Sequence, residues 1–263
     1  MKQENYEAEK ICEAIDLEKA KERLEKGLDV LSHWDRAPAK IYENSYTELL
    51  MELMRLVLNR NEDINLTTIT DPEEFVELHL LDSLACIGLP ELDAAEDIID
   101  VGSGAGFPGL PLAALYPDKK FLLMDSLRKR TDFAAFAAAS LGLNNVDVLH
   151  ARAEKAGRDP AMRERFDLAL CRAVGKMPLI LEYSLPFVRA GGAGIFYKTI
   201  PAENEIKESQ LARELLGGSA EVRIAGYKEL LPGRRHALYI VDKERTTPDS
   251  YPRREGIPAK IPL

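Results

Sequence analysis

The run Asp97-Ile98-Ile99-Asp100-Val101-Gly102-Ser103-Gly104-Ala105-Gly106-Phe107-Pro108-Gly109 constrains this chain more than any other stretch. It opens as a short apolar strand, turns through three glycines, and leads into Leu110, Leu112, Ala113 and Leu115 at helix-like spacing. A strand, a glycine turn and a helix start form the first unit of a nucleotide-binding α/β sheet. There the backbone must approach the ligand closely, and a Cβ would stand in the way. The N–H groups of the helix start point at whatever lies over the turn.

The spacing separates cofactors. A dinucleotide turn needs G-x-G-x-x-G, but Phe107 holds the place of its third glycine. Here the pattern is G-x-G-x-G with Asp100 two residues ahead. An acid there repels pyrophosphate, and it can meet the ammonium or ribose of a phosphate-free cofactor such as S-adenosylmethionine.

The remaining chain supports a single α/β unit with an appendage. Its 263 residues, 46% of them hydrophobic, suffice for a full core. Residues 4–35 carry Ile11, Ile15, Ala20, Leu24, Leu28 and Leu31 near helical spacing, and Tyr46–Leu58 carries a stronger apolar stripe. Asp71-Pro72 is an N-cap followed by a first helical residue, and the helix it starts carries His79 and ends near Asp82-Ser83. Past the glycine turn, strands and helices alternate. The strands are expected at Phe121–Met124, Val146–Leu149, Phe166–Cys171, Gly194–Tyr197, Ala220–Tyr227 and Ala237–Val241. The intervening helices are expected at Leu127–Leu141, Pro178–Val188 and Glu203–Leu216. The expectation is a seven-stranded, mostly parallel sheet with an antiparallel edge pair. Three parts follow: a helical cap over 1–90, a cofactor domain over 91–245, and a basic tail over 246–263.

Net charge is −9, but it is split: residues 1–95 sum to −12 and residues 96–263 to +3. An acidic front with a mildly basic back leaves room for a local anion-binding surface. There is no run of 18 apolar residues and no apolar segment behind the charged start, so neither a membrane span nor a signal peptide is expected. Cys12, Cys86 and Cys171 have no metal spacing, which fits a reducing cytoplasm and no metal.

An open α/β sheet holds its ligand at the carboxyl ends of its strands. Asp100, Asp125, Glu154 and Arg172 all fall there, and Asp125 stands where an acid grips ribose hydroxyls. Arg128, Lys129 and Arg130 open a helix whose dipole disfavours them by about 0.3–1 kcal/mol each, which suggests phosphate contact. Arg234 and Arg235, with Arg253, Arg254 and Lys260 of the tail, extend the same expectation.

Taken together, these stretches resemble the bacterial small-subunit ribosomal RNA methyltransferase G family (RsmG, also called GidB). The resemblance rests on Asn65-Leu66-Thr67 with Thr70-Asp71-Pro72, His79 with Leu81-Asp82-Ser83, and Asp100–Gly109. It continues through Asp125-Ser126, Lys129-Arg130, Arg172-Ala173, Tyr197-Lys198 and the tail from Tyr251. It implies a Rossmann-like class I methyltransferase sheet with an N-terminal helical extension. The implied cofactor is S-adenosylmethionine, held by Gly102, Gly104, Phe107, Asp125, Ala153, Glu154 and Arg172. The implied reaction is methylation of N7 of one guanine in 16S ribosomal RNA or the small subunit. Arg172 and Lys198 are then positioning candidates. His79, Arg128, Lys129, Arg130, Lys198, Arg234 and Arg235 are candidates for RNA contact. Two other readings stand beside it: a dinucleotide-dependent oxidoreductase, and a non-catalytic protein that binds S-adenosylmethionine or RNA on the ribosome.

Overall fold

A computed structural model describes residues 17–200 and 203–263. The front of the expected 4–35 helix, with Ile11, Cys12 and Ile15, lies outside the described residues. Helix α1 (Glu18–Ser32) buries Ala20, Leu24, Leu28 and Leu31, the i, i+4 stripe of its sequence. At Gly27 an added Cβ would lie 2.4 Å from Leu81, so this glycine sets how closely α1 approaches the third helical segment. Helix α2 (Asn44–Ile64) is longer than the Tyr46–Leu58 stripe and ends at Asn65 in the left-handed region, φ 49°. The side chain of Asn61 then fixes the exit, exchanging two hydrogen bonds with the Thr67 backbone at 2.8 and 2.9 Å.

Helix α3 (Pro72–Phe75) begins as the sequence indicates, with Asp71 accepting from the Glu74 N–H. It then widens into a π-helical turn over Val76–Leu81 and closes as a 3-10 turn over Leu84–Cys86. Such widened turns recur at functional sites, and this one carries His79. Helix α4 (Pro90–Ala94) leads into the sheet.

The sheet elements follow in order: β1 (Asp97–Val101), α5 (Gly109–Leu115), β2 (Lys120–Asp125), α6 (Arg128–Ser140), β3 (Val146–His150), α7 (Ala153–Ala156), β4 (Phe166–Arg172), α8 (Met177–Ser184) and β5 (Val188–Thr199). They end with α9 (Glu203–Glu208), α10 (Gln210–Leu216), β6 (Arg223–Gly226), β7 (His236–Asp242) and, in the tail, α11 (Ile257–Lys260). Spatial order is β3-β2-β1-β4-β5-β7-β6. All pairings are parallel except those of β7, which runs antiparallel to both of its neighbours. The expected edge pair is therefore present, with β6 at the rim.

Four details depart from expectation, the first being that the expected Pro178–Val188 helix stops at Ser184. Strand β5 starts at Val188 and not Gly194, and its pairing jumps from Phe166–Val188 to Leu168–Ala193, so the Gly191-Gly192 stretch is a bulge inside the strand. The 203–216 helix is broken at Ser209, whose hydroxyl donates back to the Ile206 carbonyl at 2.8 Å. Strand β6 begins at Arg223, not Ala220.

Along β4, Leu168 and Leu170 join one hydrophobic cluster, while Ala169 and Cys171 join clusters on the opposite face, the period-two alternation of a strand. The first cluster runs without a break from Leu24 of α1 through Leu50 and Met54 of α2 to Ile98 and Leu123. The helical cap and the sheet thus share one core. Among the described residues no helix is long and apolar enough to cross a membrane.

Candidate active site

Strand order reverses between β1 and β4, and the crevice at their carboxyl ends is where such sheets take ligands. A cavity of about 240 Å³ opens there, lined among others by Gly102, Asp125, Arg130, Ala153, Glu154 and Tyr183. A smaller adjoining cavity runs over the glycine turn, past Thr67, His79, Gly104, Phe107, Arg130 and Arg172. The sheet topology thus brings together every residue named above as a cofactor contact.

The turn is built as its glycines require. Gly102 (φ 76°) has Val174 Cγ2 2.5 Å from the position a Cβ would take, so a side chain there meets both strain and a clash. Gly104 (φ 58°) has open space on that side, the side from which a ligand reaches its backbone. Its N–H donates to Asp125 Oδ2 at 3.0 Å, and the Leu127 N–H donates to Oδ1 at 2.8 Å. Asp125 therefore ties the turn to the start of α6, and each oxygen keeps a lone pair for a ribose hydroxyl. Glu154 is buried, and its Oε1 accepts from the Gly256 N–H at 3.0 Å and from the Tyr183 hydroxyl at 3.4 Å.

Asp100 does something other than the sequence suggests. It is fully buried and lines neither cavity; its Oδ2 accepts from the Gly109 N–H at 2.9 Å, capping α5, and its Oδ1 has no partner. It cannot meet an ammonium or a ribose, because β1 carries it into the core below the turn. Burial raises its pKa to about 7, a rise the Gly109 bond only partly offsets.

Arg172 is committed to the protein. Its Nη1 donates to the Leu78 carbonyl at 2.5 Å and to Asp82 Oδ2 at 3.2 Å, and its Nη2 donates to His79 Nδ1 at 3.0 Å. The guanidinium lies 5.5 Å from the Phe107 ring centre, and His79 stacks on the same ring at 5.0 Å. Because His79 Nδ1 accepts, its Nε2 carries the proton and donates to Thr67 Oγ1 at 2.7 Å. Burial and the Arg172 charge push its pKa down to about 3, so His79 is neutral. It orients Arg172 and cannot hold a phosphate by charge.

The other basic candidates divide. Arg128, Lys129 and Arg235 are exposed. Arg130 turns back toward Asp125, 3.6 Å away, and its buried Nε has no partner. Lys198 pairs with Glu205 at 2.6 Å and donates to the Gly175 carbonyl. Arg234 pairs with Glu74 and Glu77 of the cap, and Arg253 pairs with Glu182. The surface left for RNA is smaller than a count of cations suggests.

Sequence reasoning assigned no role to Asp82, Thr67, Tyr227 or His236. Asp82 is nearly inaccessible, 4% exposed, and accepts from Arg172, from the Tyr227 hydroxyl at 2.8 Å and from His236 Nδ1 at 3.0 Å. Burial alone would raise its pKa, but the His236 bond, the Arg172 charge and the Tyr227 bond hold it below the ordinary value. An acid inside the apolar run Leu80–Cys86 was the available signal.

His79 and Asp100 act oppositely on stability. Unfolded His79 binds a proton below about 6.5 that the folded chain refuses down to about 3, so stability is lost as pH falls through that window. Asp100 keeps its proton in the fold up to about 7 and loses it near 3.8 when unfolded, so stability is lost as pH rises between those values. Relative to the parent chain, Asp100→Asn should make stability climb more steeply from pH 4 to 7, and His79→Gln should flatten or reverse the climb. Urea melts across that range read both slopes; parallel curves for all three chains would refute the assignment.

The residues present fit S-adenosylmethionine. Two acids face the cavity as acceptors for hydroxyl and amino groups, and the unpartnered Arg130 Nε offers a donor to a carboxylate. Phe107, at the place where a dinucleotide turn has its third glycine, packs against His79 and Phe75 with ring centres 5.0 and 5.7 Å away. Among the described residues no cluster of three or more His, Cys, Asp or Glu is placed to hold a metal.

Comparisons with known proteins agree. Residues 46–229 match the family described as rRNA small subunit methyltransferase G. The chain is 40% identical over 224 residues to the ribosomal RNA small subunit methyltransferase G of Alkaliphilus metalliredigens, covering 84% of this chain and 92% of that protein. It is 44% identical over 209 residues to the protein of the same name from Moorella thermoacetica, covering 79% and 86%. Among solved structures, the S-adenosylmethionine-dependent methyltransferase SibL in its apo form is similar in fold. That match has a TM-score of 0.53 at 14% identity, covering 79% of this chain and 71% of that chain.

Proposed function

The chain belongs to the rRNA small subunit methyltransferase G family, and from that premise we propose that it transfers a methyl group from S-adenosylmethionine to N7 of one guanine of 16S ribosomal RNA in the small subunit. The observation that carries the reading is the Asp125 carboxylate, bonded to the Gly104 N–H and facing the crevice at the β1–β4 switch. That is the place for a ribose diol.

When bound, S-adenosylmethionine supplies a methyl group already activated on a sulfonium. Guanine N7 carries a free lone pair at neutral pH, so no proton has to leave before it reacts. This accounts for a site whose polar groups are locked and non-titrating: Arg172 held on three sides, His79 neutral, Asp82 ionised. Their work is to place two reactants in line, an effect worth on the order of 7–11 kcal/mol in well-oriented systems, and to set a fixed field around the reacting atoms. The exposed Arg128, Lys129 and Arg235 supply phosphate contacts on the same rim.

The test is transfer of labelled methyl from S-adenosylmethionine to small subunits and to protein-free 16S ribosomal RNA from cells lacking the protein, followed by mapping of the modified base. One N7-methylguanine is expected. Label at another atom, or in no RNA, would overturn the reading. Asp125→Ala should weaken cofactor binding by about 1.5–3 kcal/mol, the range for hydrogen bonds to a charged group; titration calorimetry showing an unchanged Kd would remove Asp125 from the site.

A further inference from the structure

A third cavity, of about 340 Å³, lies behind Arg172 and shares His79, Arg172 and Ala173 with the cavity over the glycine turn. Asp82, Tyr197, Lys198, Tyr227 and His236 contribute to its wall. Most of these groups are committed elsewhere. Tyr197 donates to the Ser83 carbonyl at 2.9 Å, Tyr227 donates to Asp82, and Lys198 is paired with Glu205. His236 differs. Its Nδ1 stands 3.0 Å from Asp82 Oδ1, and in the tautomer that donates there Nε2 is a bare acceptor. Among the described residues that nitrogen has no hydrogen-bond partner, and His236 lines the cavity. A buried carboxylate that accepts from one ring nitrogen specifies the tautomer.

We propose that His236, oriented by Asp82, is the acceptor that reads the N1–H and 2-amino edge of the target guanine, received in this cavity beside the cofactor crevice. The inference rests on the methyl-transfer reading and adds to it the group that selects the base. Guanine presents two donors on that edge, whereas adenine presents an acceptor at N1, so a fixed acceptor accepts the first and rejects the second. The contact also strengthens during reaction. As N7 gains its third substituent the ring becomes cationic and the N1–H more acidic, so its bond to Nε2 tightens where charge develops. Asp82 does not touch the base and acts as a positioning residue.

The test pairs one variant with base analogues. Asn at 236 can still donate to Asp82 from its amide but lacks the distal acceptor. In single-turnover assays on 16S ribosomal RNA, His236→Asn should lower the methylation rate about 5- to 150-fold, the range for one good base-edge contact. S-adenosylmethionine affinity and Tm should stay at parental values. RNA carrying 1-methylguanine at the target, which lacks the N1–H, should slow the parent chain similarly and slow His236→Asn no further, while inosine, which keeps the N1–H, should react faster than 1-methylguanine. A parent chain that methylates 1-methylguanine at the guanine rate would overturn the proposal whatever the variant does. So would losses from variant and analogue that multiply. A parent chain that transfers no methyl to guanine RNA would instead remove the methyl-transfer reading, and this proposal with it.

Discussion

Replacing Asp82 with alanine should cost about 3–5 kcal/mol of stability, the range for breaking a buried ion pair from one side. The carboxylate is shielded from water and receives Arg172, Tyr227 and His236 together. Its removal leaves the Arg172 guanidinium, only 12% exposed, with no counter-charge and with the Leu78 carbonyl and a neutral imidazole as its remaining partners. It also strands the Tyr227 hydroxyl, whose pKa burial and the neighbouring Asp82 already hold far above the ordinary tyrosine value. Tyr227→Phe removes one neutral donor and should cost about 0.5–1.5 kcal/mol. Urea denaturation of the two variants provides the comparison. If Asp82→Ala costs no more than Tyr227→Phe, the carboxylate is not the hub of this network.

The second large effect belongs to the tail. Arg253→Ala should also cost about 3–5 kcal/mol, because Glu182 is fully buried in α8 and receives Arg253 through its backbone N–H, its Nε and its Nη2. The Glu182 hydrogen bond, and after it the Glu182 charge, raises the Arg253 pKa against burial, which lowers it. Loss of the arginine alone leaves a desolvated carboxylate without a cation. Adding Glu182→Met should recover most of the lost stability, since a buried methionine carries no charge to desolvate. A double variant no more stable than Arg253→Ala would mean the cost lies in tail packing and not in the stranded charge.

The parts legible in the sequence are those with a local cause. The strand–glycine–helix run names its own geometry, the Asp71-Pro72 start follows from capping, and the alternation of strands and helices fixes a parallel sheet with its ligand end. Asp125 falls in place because its distance from the glycines is set by one βα unit. The parts that were not legible depend on partners far along the chain. Arg234 and Arg253 counted as free cations until the fold set Glu74, Glu77 and Glu182 against them. Asp100 and Asp125 both end strands, yet one points into the core and the other into the crevice, a difference of pleat that a one-residue shift would reverse. The Asp82 hub joins residues up to 154 positions apart through a π-helical turn that has no periodic signature. The basic triplet at the start of α6 is explained in part by Arg130 turning back to the acid that precedes the helix.

The tail is fastened by more than Arg253. Arg158 and Arg163 together grip the carbonyls of Thr247, Pro248, Ser250, Tyr251 and Pro252, and beyond that grip the Gly256 N–H reaches Glu154, 102 positions earlier in the chain. The two ends of that bond form a linked equilibrium. Whatever alters the demand on the Glu154 carboxylate in the crevice alters the seating of the tail, and by reciprocity an unseated tail changes affinity in the crevice by the same factor. The Gly256 amide is therefore a natural gauge of occupancy. Its rate of exchange with deuterated solvent is expected to fall or rise when S-adenosylmethionine is added, and an unchanged rate would separate the tail from the crevice.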